Sequence, residues 1–200
     1  MGLPGTLVLA TRNPHKRREF ERLLAPAGIV VSVLPEGVEL PPEVGETFAA
    51  NALPKAQAAA AATGQVAIAD DSGIEAEALG GRPGVRSARY AGPGADDEEN
   101  LAKLQGEVPA GGALRYVCVL ALVDPFLAGG SERVFSGECR GRMAAQRGGR
   151  RGFGYDPVFV PDGVSPAQTM AELSDVAKDQ ISHRGRAVAA MLAWARGGSR

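Results

Sequence analysis

The chain has 200 residues, 44% hydrophobic and 22% charged, with a formal net charge of −1. That is a globular composition, it excludes disorder, and it offers no general field for nucleic acid. The alanine-rich run Ala56–Ala62 is too short to span a bilayer, and Met1–Pro4 has none of the regions of a signal peptide. With only Cys118 and Cys139 present, no disulfide framework is expected and a cytoplasmic setting fits. Small-molecule chemistry is the expectation, on a single domain over residues 1–200, with no nucleic-acid or membrane partner.

Thr6–Ala10 reads as a short buried strand. Asn13 as N-cap and Pro14 at N1 start a helix whose apolar face is Phe20, Leu23, Leu24 and Ala27, closed by Gly28. Ile29–Val33 is the next strand, followed by a Pro/Glu loop from Pro35 to Gly45. Thr47 is a candidate cap for a helix running to about Thr63, but Pro54 inside it predicts a kink or a later start. Val66–Ala69 is a buried strand leading into Asp70-Asp71-Ser72-Gly73. Gly80–Gly94 reads as a loop, Asp96–Gln105 as a helix, and Leu114–Val123 and Arg133–Cys139 as strands joined by a Gly-rich turn. Tyr155–Val160 and a final helix behind Ser182 complete the pattern. Early alternation with longer late strands predicts an α/β fold with a mixed sheet.

Four segments could carry chemistry. Thr11-Arg12-Asn13-Pro14-His15-Lys16 lies where a strand feeds a helix N-terminus, a place suited to an anion. An ordinary capped helix with surface Lys and Arg fits it too, and the Gly-rich run of a P-loop is absent. Asp70 and Asp71 bring two carboxylates to the end of a buried strand, which calls for a cation or a basic partner. Mg²⁺ suits such oxygens. If the strand continues, alternation sends the two acids to opposite faces; a turn with capping acids is the other reading. Arg151–Phe159 sets Phe153 and Tyr155 among glycines, which suits a nucleobase and mimics an RNA-binding octamer, but Asp156-Pro157 breaks the strand that octamer needs. Lys178 and Ser182-His183-Arg184 are a helix start that doubles as a possible clamp on phosphate or base. Ser72 with His183 lacks the elbow of a serine hydrolase.

The ordered series Leu9-Ala10-Thr11-x-Asn13-x-x-Lys16, Glu43-x-Gly45-x-Thr47-Phe48, Asn51-Ala52-x-x-Lys55-Ala56, Ala69-Asp70-Asp71-Ser72-Gly73, Leu79-Gly80-Gly81-x-Pro83-Gly84, Ser87-Ala88-Arg89-Tyr90, Gly152-Phe153-Gly154-Tyr155-Asp156-Pro157 and Ser182-His183-Arg184-Gly185 resembles the inosine triphosphate pyrophosphatase family. The resemblance implies an elongated mixed β-sheet flanked by helices, two lobes with a central cleft, and a homodimer. It implies that Thr11, Arg12, Asn13, Pro14, His15 and Lys16 hold the triphosphate, with Asn51, Lys55, Asp70 and Ser72 at the same end. Glu43 and Asp71 would bind Mg²⁺, and Phe153, Gly154, Tyr155, Asp156, Lys178, His183 and Arg184 would receive the base.

The implied reaction is hydrolysis of ITP, dITP or XTP to the monophosphate and pyrophosphate, removing non-standard purines from the nucleotide pool. Asp71, or alternatively Asp70, would take the proton of the attacking water, and Lys16 and Lys55 would stabilise the leaving group. Arg184 and nearby backbone N–H groups would read the oxygen at purine position 6. Val44, Ala50, Pro54 and Arg86 depart from the family pattern without touching the lysines or acids. Two alternatives stand beside this reading: a related pyrophosphatase for other modified nucleotides, and a non-catalytic nucleotide- or RNA-binding protein.

Overall fold

A computed structural model describes residues 2–126, 131–164 and 166–197. Strand β1 (Thr6–Leu9) leads into helix α1 (Pro14–Leu24), capped by Asn13 with Pro14 at its start as expected. Phe20 and Leu24 are fully buried on its apolar face. The helix stops at Leu24 rather than Ala27. Pro26 has no N–H to continue the α-helical ladder, and Ala25–Ala27 tightens into a 3-10 turn that Gly28 closes at φ 71. Strand β2 (Val30–Val33) follows.

Helix α2 (Phe48–Thr63) starts directly after Thr47, whose hydroxyl accepts the Ala50 N–H at 3.1 Å. The later start expected from Pro54 is not found. The helix runs through that residue, giving up only the bond its nitrogen would make to Ala50, while Ala52, Ala56 and Ala59 bury a smooth face completely. Strand β3 (Ala67–Ala76) extends well past the apolar run, through both acids. Helix α3 (Asp97–Glu107) carries a full capping box between Asp96 and Glu99. Strands β4 (Ala113–Asp124) and β5 (Ser131–Met143) are longer than the sequence suggests, and their turn falls largely outside the described residues. A 3-10 turn at Asp156–Val158 precedes the short β6 (Phe159–Pro161), and helices α4 (Asp175–Ile181) and α5 (His183–Gly197) finish the chain.

The sheet order is β2-β1-β3-β4-β5-β6. β1 runs parallel to β2 and β3, pairing Val8 with Ser32 and with Ala67, whereas β5 and β6 are antiparallel. This is the mixed α/β sheet expected. No described helix is long and apolar enough to cross a membrane.

The chain divides into two compact units, Met1–Asp71 with Cys118–Gly137 and Arg184–Arg200, and Ser72–Val117 with Glu138–His183. Each has its own core. Leu7, Leu9, Phe20, Ile68, Leu120 and Met191 pack in the first; Ile74, Leu104, Leu114, Val158, Phe159 and Met170 pack in the second.

Candidate active site

In the first unit, β3 presents Asp70 and Asp71 to opposite sides, as pleating requires. The Asp70 carboxylate is buried against Lys16 Nζ at 3.1 Å and Arg184 Nη2 at 2.9 Å. The other arm of Arg184 binds Glu19 of α1 at 2.5 Å. Burial alone would raise the Asp70 carboxyl, but the charges of Lys16, Arg184 and Lys55 outweigh it and hold the group far below the usual carboxylate range. Asp70 is thus a permanent anion that orients cations. Cys118 lies alongside, and burial, reinforced by Asp70, pushes its thiol up to about 12. It is an inert core side chain.

Asp71 has different surroundings. Asn51 of α2 donates to its Oδ2 at 2.8 Å and accepts the Gly45 N–H through its own Oδ1 at 2.7 Å. One amide therefore ties the acid to the loop that carries Glu43. Burial raises the Asp71 carboxyl; the Asn51 hydrogen bond opposes this, and the charge of Glu43 adds to it. Glu43 meets Lys55 at 2.5 Å, and Lys55 also donates to the Asp70 backbone carbonyl at 2.7 Å. Two lysines, Lys16 and Lys55, and three carboxylates, Glu43, Asp70 and Asp71, thus form one network. The raised acid in it is Asp71, the one suited to accept a proton.

The segment Thr11–Lys16 is less open than its sequence implies. Asn13 Oδ1 accepts the His15 and Lys16 N–H groups at 2.8 and 3.2 Å, and Thr11 Oγ1 accepts the Asn13 N–H at 3.2 Å. The helix N-terminus is capped by its own side chains. His15 Nδ1 meets Arg18 at 2.8 Å. Arg12 is turned to the protein: its guanidinium donates to the carbonyls of Leu34, Pro35 and Val38 at 3.1, 3.0 and 2.9 Å.

In the second unit, Asp156 gathers the residues expected at the base. Lys178 Nζ lies 2.6 Å from its Oδ2, the Phe153 N–H donates to the same oxygen at 3.0 Å, and the Tyr116 hydroxyl donates to Oδ1 at 3.2 Å. Lys178 sits over the Phe153 ring at 5.4 Å, and the His183 ring stacks on Tyr116 at 4.6 Å, nearly parallel at 8°. The Gly154 N–H is held by Asp97 at 2.9 Å. Tyr155 is a core residue whose hydroxyl donates to the Ser87 carbonyl at 2.7 Å. Ser72 is half-buried on β3.

Two expectations change here. Arg184, expected to read a base, is 1% exposed, with its two arms committed to Glu19 and Asp70. Arg12, expected at the triphosphate, holds a loop. Two contributors escaped the sequence reading. Glu19, three positions after Lys16, was a charge on the edge of an apolar helix face, a signal of a buried ion pair. Tyr116 alternates with Cys118 and Leu120 along β4, so its polar tip was hidden in an apolar run.

Among the described residues no group of three or more His, Cys, Asp or Glu side chains forms a metal cluster. Glu43 and Asp71 offer carboxylate oxygens, the ligand type that Mg²⁺ takes.

Fold and site together define an α/β protein with two lysines set among three carboxylates, two of them buried on β3. The Ham1 family matches residues 7–194, and the chain belongs to that family. It is 50% identical over 190 residues to the dITP/XTP pyrophosphatase of Symbiobacterium thermophilum, covering 93% of this chain and 92% of that one. It is 47% identical over 192 residues to the dITP/XTP pyrophosphatase of Frankia alni, covering 90% and 92%. Among solved structures, a HAM1 protein from Coxiella burnetii matches with a TM-score of 0.81 and 36% identity over 96% of this chain and 98% of that one. The nucleoside-triphosphatase / dITP/XTP pyrophosphatase of Mycobacterium abscessus matches with a TM-score of 0.69 and 40% identity over 94% and 97%.

Proposed function

We propose that this chain hydrolyses non-standard purine nucleoside triphosphates such as dITP and XTP to the monophosphate and pyrophosphate, in a Mg²⁺-dependent reaction. The observation that carries the reading is the division of labour within the acid pair. Asp70 is locked as an anion by Lys16 and Arg184, whereas the Asp71 carboxyl, hydrogen-bonded by Asn51, is raised by burial and by the charge of Glu43. High identity to dITP/XTP pyrophosphatases along nearly the whole chain supports the substrate class.

Mg²⁺ held by Glu43 and Asp71 would neutralise charge on the triphosphate. Lys16 and Lys55 stabilise the charge that develops on departing pyrophosphate, and their carboxylate partners, buried Asp70 and half-buried Glu43, keep both ammonium groups in place beforehand. Asp71 accepts the proton of the water that attacks the α-phosphorus, and Asn51 fixes the orientation of its carboxylate. In the second unit, Phe153 offers a face to the purine, and Lys178 and His183 are the side-chain donors proposed for the oxygen at position 6. That role passes to them from Arg184. A homodimer and a cytoplasmic setting belong to the same proposal.

Asp71→Asn tests it. The substitution keeps shape and one hydrogen-bond acceptor, so the variant should fold normally and lose at least about a hundredfold in turnover of dITP. Turnover near the wild-type rate would remove Asp71 from the chemistry.

A further inference from the structure

We propose that Arg12 is a positioning residue: it clamps the loop that carries Glu43, and so sets the site's affinity for Mg²⁺, instead of binding the triphosphate itself. The inference rests on the assignment of Glu43 and Asp71 as the carboxylates of the metal site.

The loop between β2 and α2 has no helix or strand of its own from Leu34 to Gly45, so its shape must come from side chains that reach it. It begins with a turn in which the Val38 N–H bonds the Pro35 carbonyl at 3.4 Å and Gly37 takes the positive φ of 86 that a type II turn requires. Arg12 grips this turn from outside through its three carbonyls, those of Leu34, Pro35 and Val38. A guanidinium with its donors in a rigid fork suits three converging acceptors; a single ammonium does not.

The far end of the loop is held separately. Asn51 accepts the Gly45 N–H at 2.7 Å and donates to Asp71 at 2.8 Å. A Cβ at position 45 would lie 2.7 Å from the Ala50 Cβ and 2.8 Å from Asn51 Oδ1, so the loop backbone is pressed directly onto α2. Glu43 therefore lies between two fixed points, Arg12 before it and Asn51 after it. Arg12 lies in the short connection between β1 and α1, next to the N-cap Asn13, which ties the grip on the loop to the start of the helix that carries Lys16.

The two roles for Arg12 separate on Arg12→Lys and Arg12→Met. A phosphate-binding cation is largely replaced by lysine, whereas a three-carbonyl clamp is not. Hydrogen exchange is measured at Val38, Val44 and Gly45 in the metal-free protein, and the Mg²⁺ dependence of pyrophosphate release from dITP is measured alongside. The clamp predicts that both variants exchange faster at these amides than wild type. It also predicts that both need at least about tenfold more Mg²⁺ for half-maximal rate, the usual cost of removing a group that orients a metal ligand. Arg12→Lys with wild-type exchange and wild-type Mg²⁺ requirement would overturn the proposal, as would unchanged exchange or an unchanged Mg²⁺ requirement in both variants. A wild-type protein that releases no pyrophosphate from dITP at any Mg²⁺ concentration would refute the functional reading instead, and the exchange arm would still report on the clamp.

Discussion

Adjacent aspartates can hold opposite properties when a strand places them on opposite faces. Asp70 meets Lys16 and Arg184, while Asp71 meets Asn51 and the field of Glu43. The first pair of contacts is structural as much as electrostatic. Arg184 is held between Asp70 and Glu19 with 1% exposure, and its removal would take from two buried carboxylates a cation they share. Arg184→Met should therefore cost about 3–5 kcal/mol of unfolding free energy, read as a lower urea midpoint. A loss within a few tenths of a kcal/mol of zero, with a raised KM for dITP, would return Arg184 to the base-reading role. Strand alternation anticipates the split of the two acids, but not the sides taken by the last motif. Ser182-His183-Arg184 reads as one motif, yet His183 stacks on Tyr116 while Arg184 points to Asp70, because consecutive residues of a helix project about 100° apart.

Element boundaries were legible where local chemistry decides them. Asn13-Pro14 starts α1, Thr47 caps α2, Gly64 ends it in the left-handed conformation, and Asp96 with Glu99 boxes α3. They were illegible where distant contacts decide. Asp-Ser-Gly favours a turn locally, but β3 continues to Ala76 because the acids are satisfied by partners far along the chain, Arg184 lying 114 residues from Asp70. Pro54 is a second case: buried alanines hold α2 together across a residue that would weaken an isolated helix. The loop before the Asp156–Val158 turn yields a prediction at this scale. Gly152 has φ +74, and a Cβ there would lie 1.9 Å from Asp156 Oδ2 and 3.1 Å from Lys178 Nζ. Gly152→Ala should displace the Asp156–Lys178 pair and cost roughly 2 kcal/mol or more through strain and lost hydrogen bonding. KM for dITP should rise more than kcat falls. Wild-type urea midpoint and KM would show that this pair does not serve the base.

In the molecule as a whole, β1 pairs in parallel with β2 and β3 while β5 and β6 pair antiparallel, and the division between the two compact units falls along β3 between Asp71 and Ser72. The phosphate-end acids belong to the first unit and the Asp156 cluster to the second. The sequence predicted the α/β class, because the alternation of strands and helices is written in local patterning and in the residues that start and stop each element. Hidden from it was which side chains serve the protein itself: Arg12 gripping a loop, Tyr155 anchoring the core. The proposed reaction is cleavage at the α-phosphorus of non-standard purine triphosphates. The decisive measurement is of the products formed from dITP and from ATP, with and without Mg²⁺. One pyrophosphate and one dIMP per dITP are expected, only when Mg²⁺ is present, with slower turnover of ATP. Release of inorganic phosphate in place of pyrophosphate, or faster hydrolysis of ATP than of dITP, would contradict it.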